Sequence, residues 1–112
     1  MNNLNKHLAE KVMRWRKGRT NPHAYFEKWL GKGAESISIA SNWKPTENIE
    51  QAMMCLDKGN WWFIEKIQKD SPLGTGFLVN VVIGKTTGDA ISDTPAMAIS
   101  LACGRATGWS DE

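Results

Sequence analysis

The sequence predicts an α/β protein of the α+β type: a single domain over residues 1–112, a helix-sheet-helix sandwich built on an antiparallel sheet, with element order α-β-β-α-β-β-α. Three observations predict it. Three segments, near each end and in the middle, repeat apolar residues at helical spacing. Two runs, 61–67 and 76–83, alternate side chains at period 2 on either side of Ser71-Pro72-Leu73-Gly74, as an antiparallel pair does. No repeat, low-complexity run or interdomain linker marks a second domain.

The first helix is expected over 3–16. Asn2 or Asn3 caps it, Leu4, Leu8, Val12 and Trp15 form its apolar stripe, and Lys17-Gly18 ends it. Arg16, Lys17 and Arg19 cluster around that glycine. Such cations suit a bound phosphate, and they equally suit the negative end of a helix. Thr20-Asn21-Pro22 reads as a turn. Ala24 to Leu30 is aromatic enough for a strand, with a short helix as the alternative, and 35–40 alternates at period 2, so 24–40 reads as a hairpin turning at Gly31-Lys32-Gly33.

The central helix, 47–58, carries the most complete local signals. Pro45 leads into it, Thr46 and Asn48 are candidate N-caps, Gln51 stands at capping-box spacing from Asn48, and Glu47 and Glu50 occupy the first turn. Ile49, Ala52, Met53 and Leu56 make one stripe, and Gly59 is the expected residue past the end. The strand 61–67 is apolar on most of both faces, which predicts a place inside the sheet. Residues 84–92 read as a loop. Thr94 as N-cap with Pro95 at the first helical position opens the last helix, 94–107, whose Ala98, Ile99, Ala102, Cys103 and Ala106 allow close approach to a sheet before Gly108 ends it.

Hydrophobic content of 41% and charged content of 23% exclude wholesale disorder. The net charge of +2 hides an asymmetry: residues 1–33 carry eight Lys or Arg against two Glu, whereas residues 34–112 carry six basic against ten acidic side chains. A cationic third attracts a polyanion, a nucleotide phosphate, or the acidic part of a second copy, unless it is only a solvated face. Cys55 and Cys103 lack Cys or His neighbours at zinc spacing and read as buried free thiols. No signal peptide or membrane-length apolar run appears, so the cytoplasm is the expected compartment, with no membrane partner.

No cofactor motif or catalytic constellation is present. Gly84-Lys85-Thr86 resembles the tail of a phosphate-binding loop, but the required glycine is Val79 and no helix follows. His7 and His23 have no carboxylate, Ser or Cys at dyad spacing and read as exposed, and the acidic residues are scattered over caps and turns. The expectation is a protein without enzymatic activity, cofactor or metal. Six Trp, some interleaved with cations, suit a surface on which a base stacks while a cation meets phosphate, in competition with core packing. Arg14, Trp15, Arg16, Arg19, Trp43, Lys44 and Arg105 are the candidate ligand-binding residues.

Three segments, Leu8-Ala-Glu-Lys-Val-Met-Arg-Trp15, Asn42-Trp-Lys-Pro-Thr-Glu-Asn-Ile-Glu-Gln-Ala52 and Asp93-Thr-Pro-Ala-Met-Ala-Ile-Ser-Leu-Ala102, resemble in order and spacing the small Bacillus phage and prophage proteins grouped as the phage ABA sandwich domain. The resemblance spans nearly the whole chain and implies helices sandwiching a sheet. This sequence departs from it at Arg14, where a small residue such as Gly is common, and at Gly104, which interrupts the last helix at about 1 kcal/mol relative to Ala. The resemblance implies a phage or prophage accessory protein in a bacterial host cell. By analogy such a protein acts in counter-defence, sequestering a small nucleotide immune signal or binding a host defence protein. A homo-oligomer is expected, and a nucleic-acid-binding regulatory protein is the alternative.

Overall fold

In the computed structural model the described residues are 2–18, 28–30, 36–39, 42–67 and 76–110. Helix α1, Asn2–His7, runs into a π-helical turn, Leu8–Val12. Three short strands follow, β1 (Arg16–Gly18), β2 (Lys28–Leu30) and β3 (Ser36–Ile39). Then come α2 (Ile49–Leu56), β4 (Trp61–Ile67), β5 (Gly76–Ile83), β6 (Thr86–Ser92) and α3 (Pro95–Ala106). The class is α+β with antiparallel sheets, as the sequence predicts, and it gains two strands, β1 and β6. The first sheet has order β1-β2-β3 with a bulge between Trp29 and Leu30, and the second has order β4-β5-β6. The predicted turns at 20–22, 31–33 and 71–74, and the outer parts of the predicted hairpin, lie outside the described residues.

The N-caps of α2 and α3 form where expected. Asn48 accepts from the Gln51 backbone N–H at 3.0 Å, and Thr94 accepts from Met97 at 3.3 Å with Pro95 opening α3. The Gln51 side chain reaches past Asn48: its Oε1 accepts from the Lys44 N–H at 2.6 Å and its Nε2 donates to the Asn42 carbonyl at 2.9 Å. That pair of bonds fixes the approach of the Trp43 segment to α2.

Helix α3 lies on β5 and β6, and α1 and α2 pack against α3. Its small residues permit this. Ala98, Ile99, Ala102, Cys103 and Ala106 are all buried, and a Cβ at Gly88 of β6 would collide with the Ala102 carbonyl oxygen. Val79 and Val81 of β5 point into this core with Leu4, Leu8, Ala52, Cys55 and Leu56. Burial pushes the Cys103 thiol up to about 12 and the Cys55 thiol higher still, consistent with inert free thiols.

Several expectations are corrected. Residues 84–92 are a two-residue turn and a strand, because Gly88 and Ala90 supply a small inward face that hydropathy alternation does not register. Strand β4 is an edge, pairing among the described residues with β5 alone, and Trp61 is 54% exposed. Its apolar outer positions face away from α3 instead of into a second layer of described residues. Ile49 drops out of the buried stripe of α2, whose inward residues are Ala52, Cys55 and Leu56. Gly59 is not a left-handed cap. It sits where a Cβ would come within 2.6 Å of Val81.

Candidate functional site

The first helix ends four residues earlier than its apolar spacing predicts. The π turn widens the backbone ring, so Met13 N–H donates five residues back to the Leu8 carbonyl at 3.0 Å, and Trp15 N–H closes the end by donating six residues back to the Ala9 carbonyl at 2.9 Å. Between them Arg14 takes φ +62°, the left-handed conformation that closes many helices and that glycine ordinarily supplies. An L side chain there costs roughly 1–2 kcal/mol. Arg14 is the one described non-glycine residue with positive φ.

The three described α-helices end around one open groove of about 650 Å³. The π turn contributes Lys11, Val12 and the following Arg14. The chain past α2 contributes Lys58, the β5–β6 turn contributes Ile83, Gly84 and Thr86, and the end of α3 contributes Arg105 to Gly108. The rim is held from several sides. Asn60 brackets Gly84 through its side-chain amide, accepting from the Gly84 N–H at 3.3 Å and donating to its carbonyl at 3.4 Å. The Arg105 guanidinium donates to the Asp89 carbonyl at 2.9 Å. Thr107 Oγ1 donates to the Cys103 carbonyl at 2.8 Å and so accepts from His7 Nε2 at 2.9 Å.

His7 is thus a half-buried tie between α1 and the end of α3, edge-on to Trp109 with ring centroids 5.6 Å apart, and not the exposed residue expected. Burial, followed by the charge of Lys11, lowers its pKa below 6.5.

Four cations line the groove, and no carboxylate, histidine or thiol is among its described lining residues. Each helix end carries about half a negative charge, roughly −1.5 in all. Lys11, Arg14 and Lys58 alone outweigh that, even with Arg105 left out as already engaged at Asp89. Complementing the helix dipoles absorbs about half of their positive charge. A positive surplus remains.

Of the sequence-predicted site residues, the groove brings together Arg14 and Arg105. Trp15 and Trp43 pair edge-to-face at 4.8 Å, but Trp43 is 4% exposed and neither lines the groove. Lys44 is exposed on the approach to α2, and Arg16 is exposed on β1 rather than at a helix end. Arg19 and His23 lie outside the described residues. Sequence reasoning missed Lys11 and Lys58. Each stands near a helix end, but only the tertiary meeting of three such ends makes them a cluster.

Among the described residues no group of three or more His, Cys, Asp or Glu is placed to hold a metal, and no helix is long and apolar enough to cross a membrane. The Gly84-Lys85-Thr86 stretch that resembles a phosphate-loop tail is the tight turn between β5 and β6, with Gly84 at φ +65°.

No family model matches the chain, and no curated protein matches it. Among solved structures, it is similar to the crystal structure of a phage protein from Bacillus cereus ATCC 14579, with a TM-score of 0.63 and 16% identity over 99% of this chain and 90% of that one. At that identity the likeness establishes a shared fold.

Proposed function

We propose that this is a non-enzymatic phage accessory protein that captures a small phosphate-bearing anion, of the nucleotide immune-signal kind, in the groove where its three helices end. The observation that carries the reading is the convergence of Lys11, Arg14, Lys58 and Arg105 on one concavity without a described acidic lining residue. Its volume lies in the range of small-ligand sites. Each lysine or arginine contact to a phosphate contributes charge-assisted hydrogen bonds of roughly 1.5–3 kcal/mol, so Lys11, Arg14 and Lys58 together reach about micromolar affinity. The phage context is supported by the shared fold with the Bacillus cereus phage protein. Recognition here rests on phosphate rather than on a base stacked between tryptophans, since Trp15 and Trp43 pack against each other.

A thermal-shift screen against cyclic dinucleotides and cyclic ADP-ribose isomers tests the reading. A ligand at one hundred times its Kd stabilises the fold by about 2.7 kcal/mol, and Lys11→Glu with Lys58→Glu abolishes the shift. If none of these anions moves the melting temperature while the protein still blocks a defence system in cells, a host protein is the target. Binding to nucleic acid that falls steeply with salt would instead favour the regulatory alternative.

A further inference from the structure

The geometry points to a second copy of this chain as the partner of the β4 edge, joined by a two-fold antiparallel pairing centred on Phe63 that runs the two β4-β5-β6 sheets into one. The pairing register β4-β5 places Trp61, Phe63 and Glu65 opposite Val82, Asn80 and Leu78, on the face turned away from Val79, Val81 and α3. Trp62 and Ile64 stand on the helix side. Trp61 and Phe63 form an edge-to-face pair at 5.5 Å, yet Trp61 is 54% and Trp62 39% exposed. Edge strands are ordinarily blunted by charge, proline or brevity. Here charge occurs only at Glu65 and Lys66, so among the described residues 61–64 present an unprotected aromatic edge.

Charge and burial select the register. In a two-fold pair, residue i faces residue j of the partner with i + j constant, and facing residues share a side of the sheet. A centre on Glu65 or on Lys66 sets like charges directly opposite, which is unfavourable. A centre on Ile64 sets Trp62 and Phe63 against charged residues and requires Ile67, only 8% exposed already, to meet the partner's Trp61. A centre on Trp62 engages only the first three residues of the strand. A centre on Phe63 sets Phe63 against the partner's Phe63 and Trp62 against the partner's Ile64. It lays Trp61 over the stem of the partner's Glu65, and both exposed tryptophans are covered. No residue of β4 lines the cationic groove, so this inference stands or falls apart from the proposed ligand.

Sedimentation equilibrium should show a dimer at micromolar concentration. Trp61→Lys combined with Phe63→Lys should give a monomer with an unchanged far-ultraviolet spectrum. Phe63→Cys supplies a second readout: facing Cα atoms in an antiparallel pair lie within disulfide range, whereas two Glu65→Cys sites would be offset by about 13 Å along the strands. Mild oxidation should therefore cross-link Phe63→Cys at least about tenfold faster than Glu65→Cys. The native Cys55 and Cys103 are buried and do not compete. A wild-type protein that stays monomeric, a dimer that survives the double variant, or equal cross-linking of the two cysteine variants overturns the inference.

Discussion

The indole N–H of Trp43 donates to the backbone carbonyl of Asn5 at 2.8 Å, joining segments 38 residues apart in a buried setting. The Asn5 side chain answers with a second bond, its Oδ1 accepting from the Thr46 N–H at 3.2 Å. One asparagine thus ties α1 to the entry of α2 through both its backbone and its amide. Trp43 is thereby anchored in the fold.

Replacing Trp43 with Phe removes the donor and leaves a gap, at a cost of about 1–3 kcal/mol. Anion affinity at the groove should not change. Chemical denaturation read beside ligand titration checks both, and a loss of affinity without a loss of stability would return Trp43 to the binding surface.

Arg14→Gly should move stability and binding in opposite directions. Relief of the left-handed conformation stabilises by up to about 1 kcal/mol once the greater freedom of glycine in the unfolded chain is counted. Loss of a groove cation weakens anion binding by roughly tenfold or more. Arg14→Lys should retain the strain and much of the affinity. A glycine variant that is less stable than the wild type would show that the arginine holds the helix end by packing.

His7 sets a sign for pH dependence. Its folded-state pKa lies below the ordinary 6.5, so the unfolded chain takes up a proton first as pH falls. The stability is fully present above the unfolded value and is lost as pH falls through the folded one. Unfolding midpoints at about pH 7.5 and about pH 5.5 should differ more for the wild type than for His7→Gln, a comparison that subtracts the contribution of His23. Equal slopes would remove His7 from the linkage.

Three glycine-to-alanine variants should separate close approach from backbone freedom. At Gly88 the added carbon collides with the Ala102 carbonyl oxygen and comes within 2.5 Å of the Ala106 nitrogen, so the helix must lift from the sheet and the cost exceeds about 3 kcal/mol. At Gly104 it meets Leu4 Cδ1 at 2.8 Å and Trp109 Cβ at 3.1 Å, and the crowding outweighs the gain of about 1 kcal/mol in helix propensity. At Gly84 nothing lies within 4 Å and only the φ of +65° opposes the change, about 1 kcal/mol. Thermal unfolding should show the greatest damage for Gly88→Ala and the least for Gly84→Ala, with Gly104→Ala between.

Elements whose signals are self-contained are legible in the amino-acid sequence alone. Asn48, Thr94 and Pro95 act within one turn of their own position, and β5 alternates strongly enough to be read by itself. Strand β6 is not legible, because its inward residues are Gly88 and Ala90, chosen by the nearness of α3 and not by hydrophobicity. The end of the first helix escapes notice because Trp15 keeps the apolar spacing that the π turn breaks. For the site, Arg14 and Arg105 are legible as cations. Lys11 and Lys58 become neighbours only through tertiary packing, and Trp15 and Trp43 are claimed by the core.

The contact of Leu4 with Gly104, and of His7 with Thr107 across a sequence separation of 100, has a consequence during synthesis. By contrast β4, β5, β6 and α3 neighbour one another along the chain, so their loops close cheaply and their contacts form early. As the chain leaves the ribosome, α1 emerges with its Leu4 and Leu8 face bare, well before α3, which supplies the surface that receives it. Helix α1 therefore waits as a nascent segment without its partner until α3 has docked on the sheet.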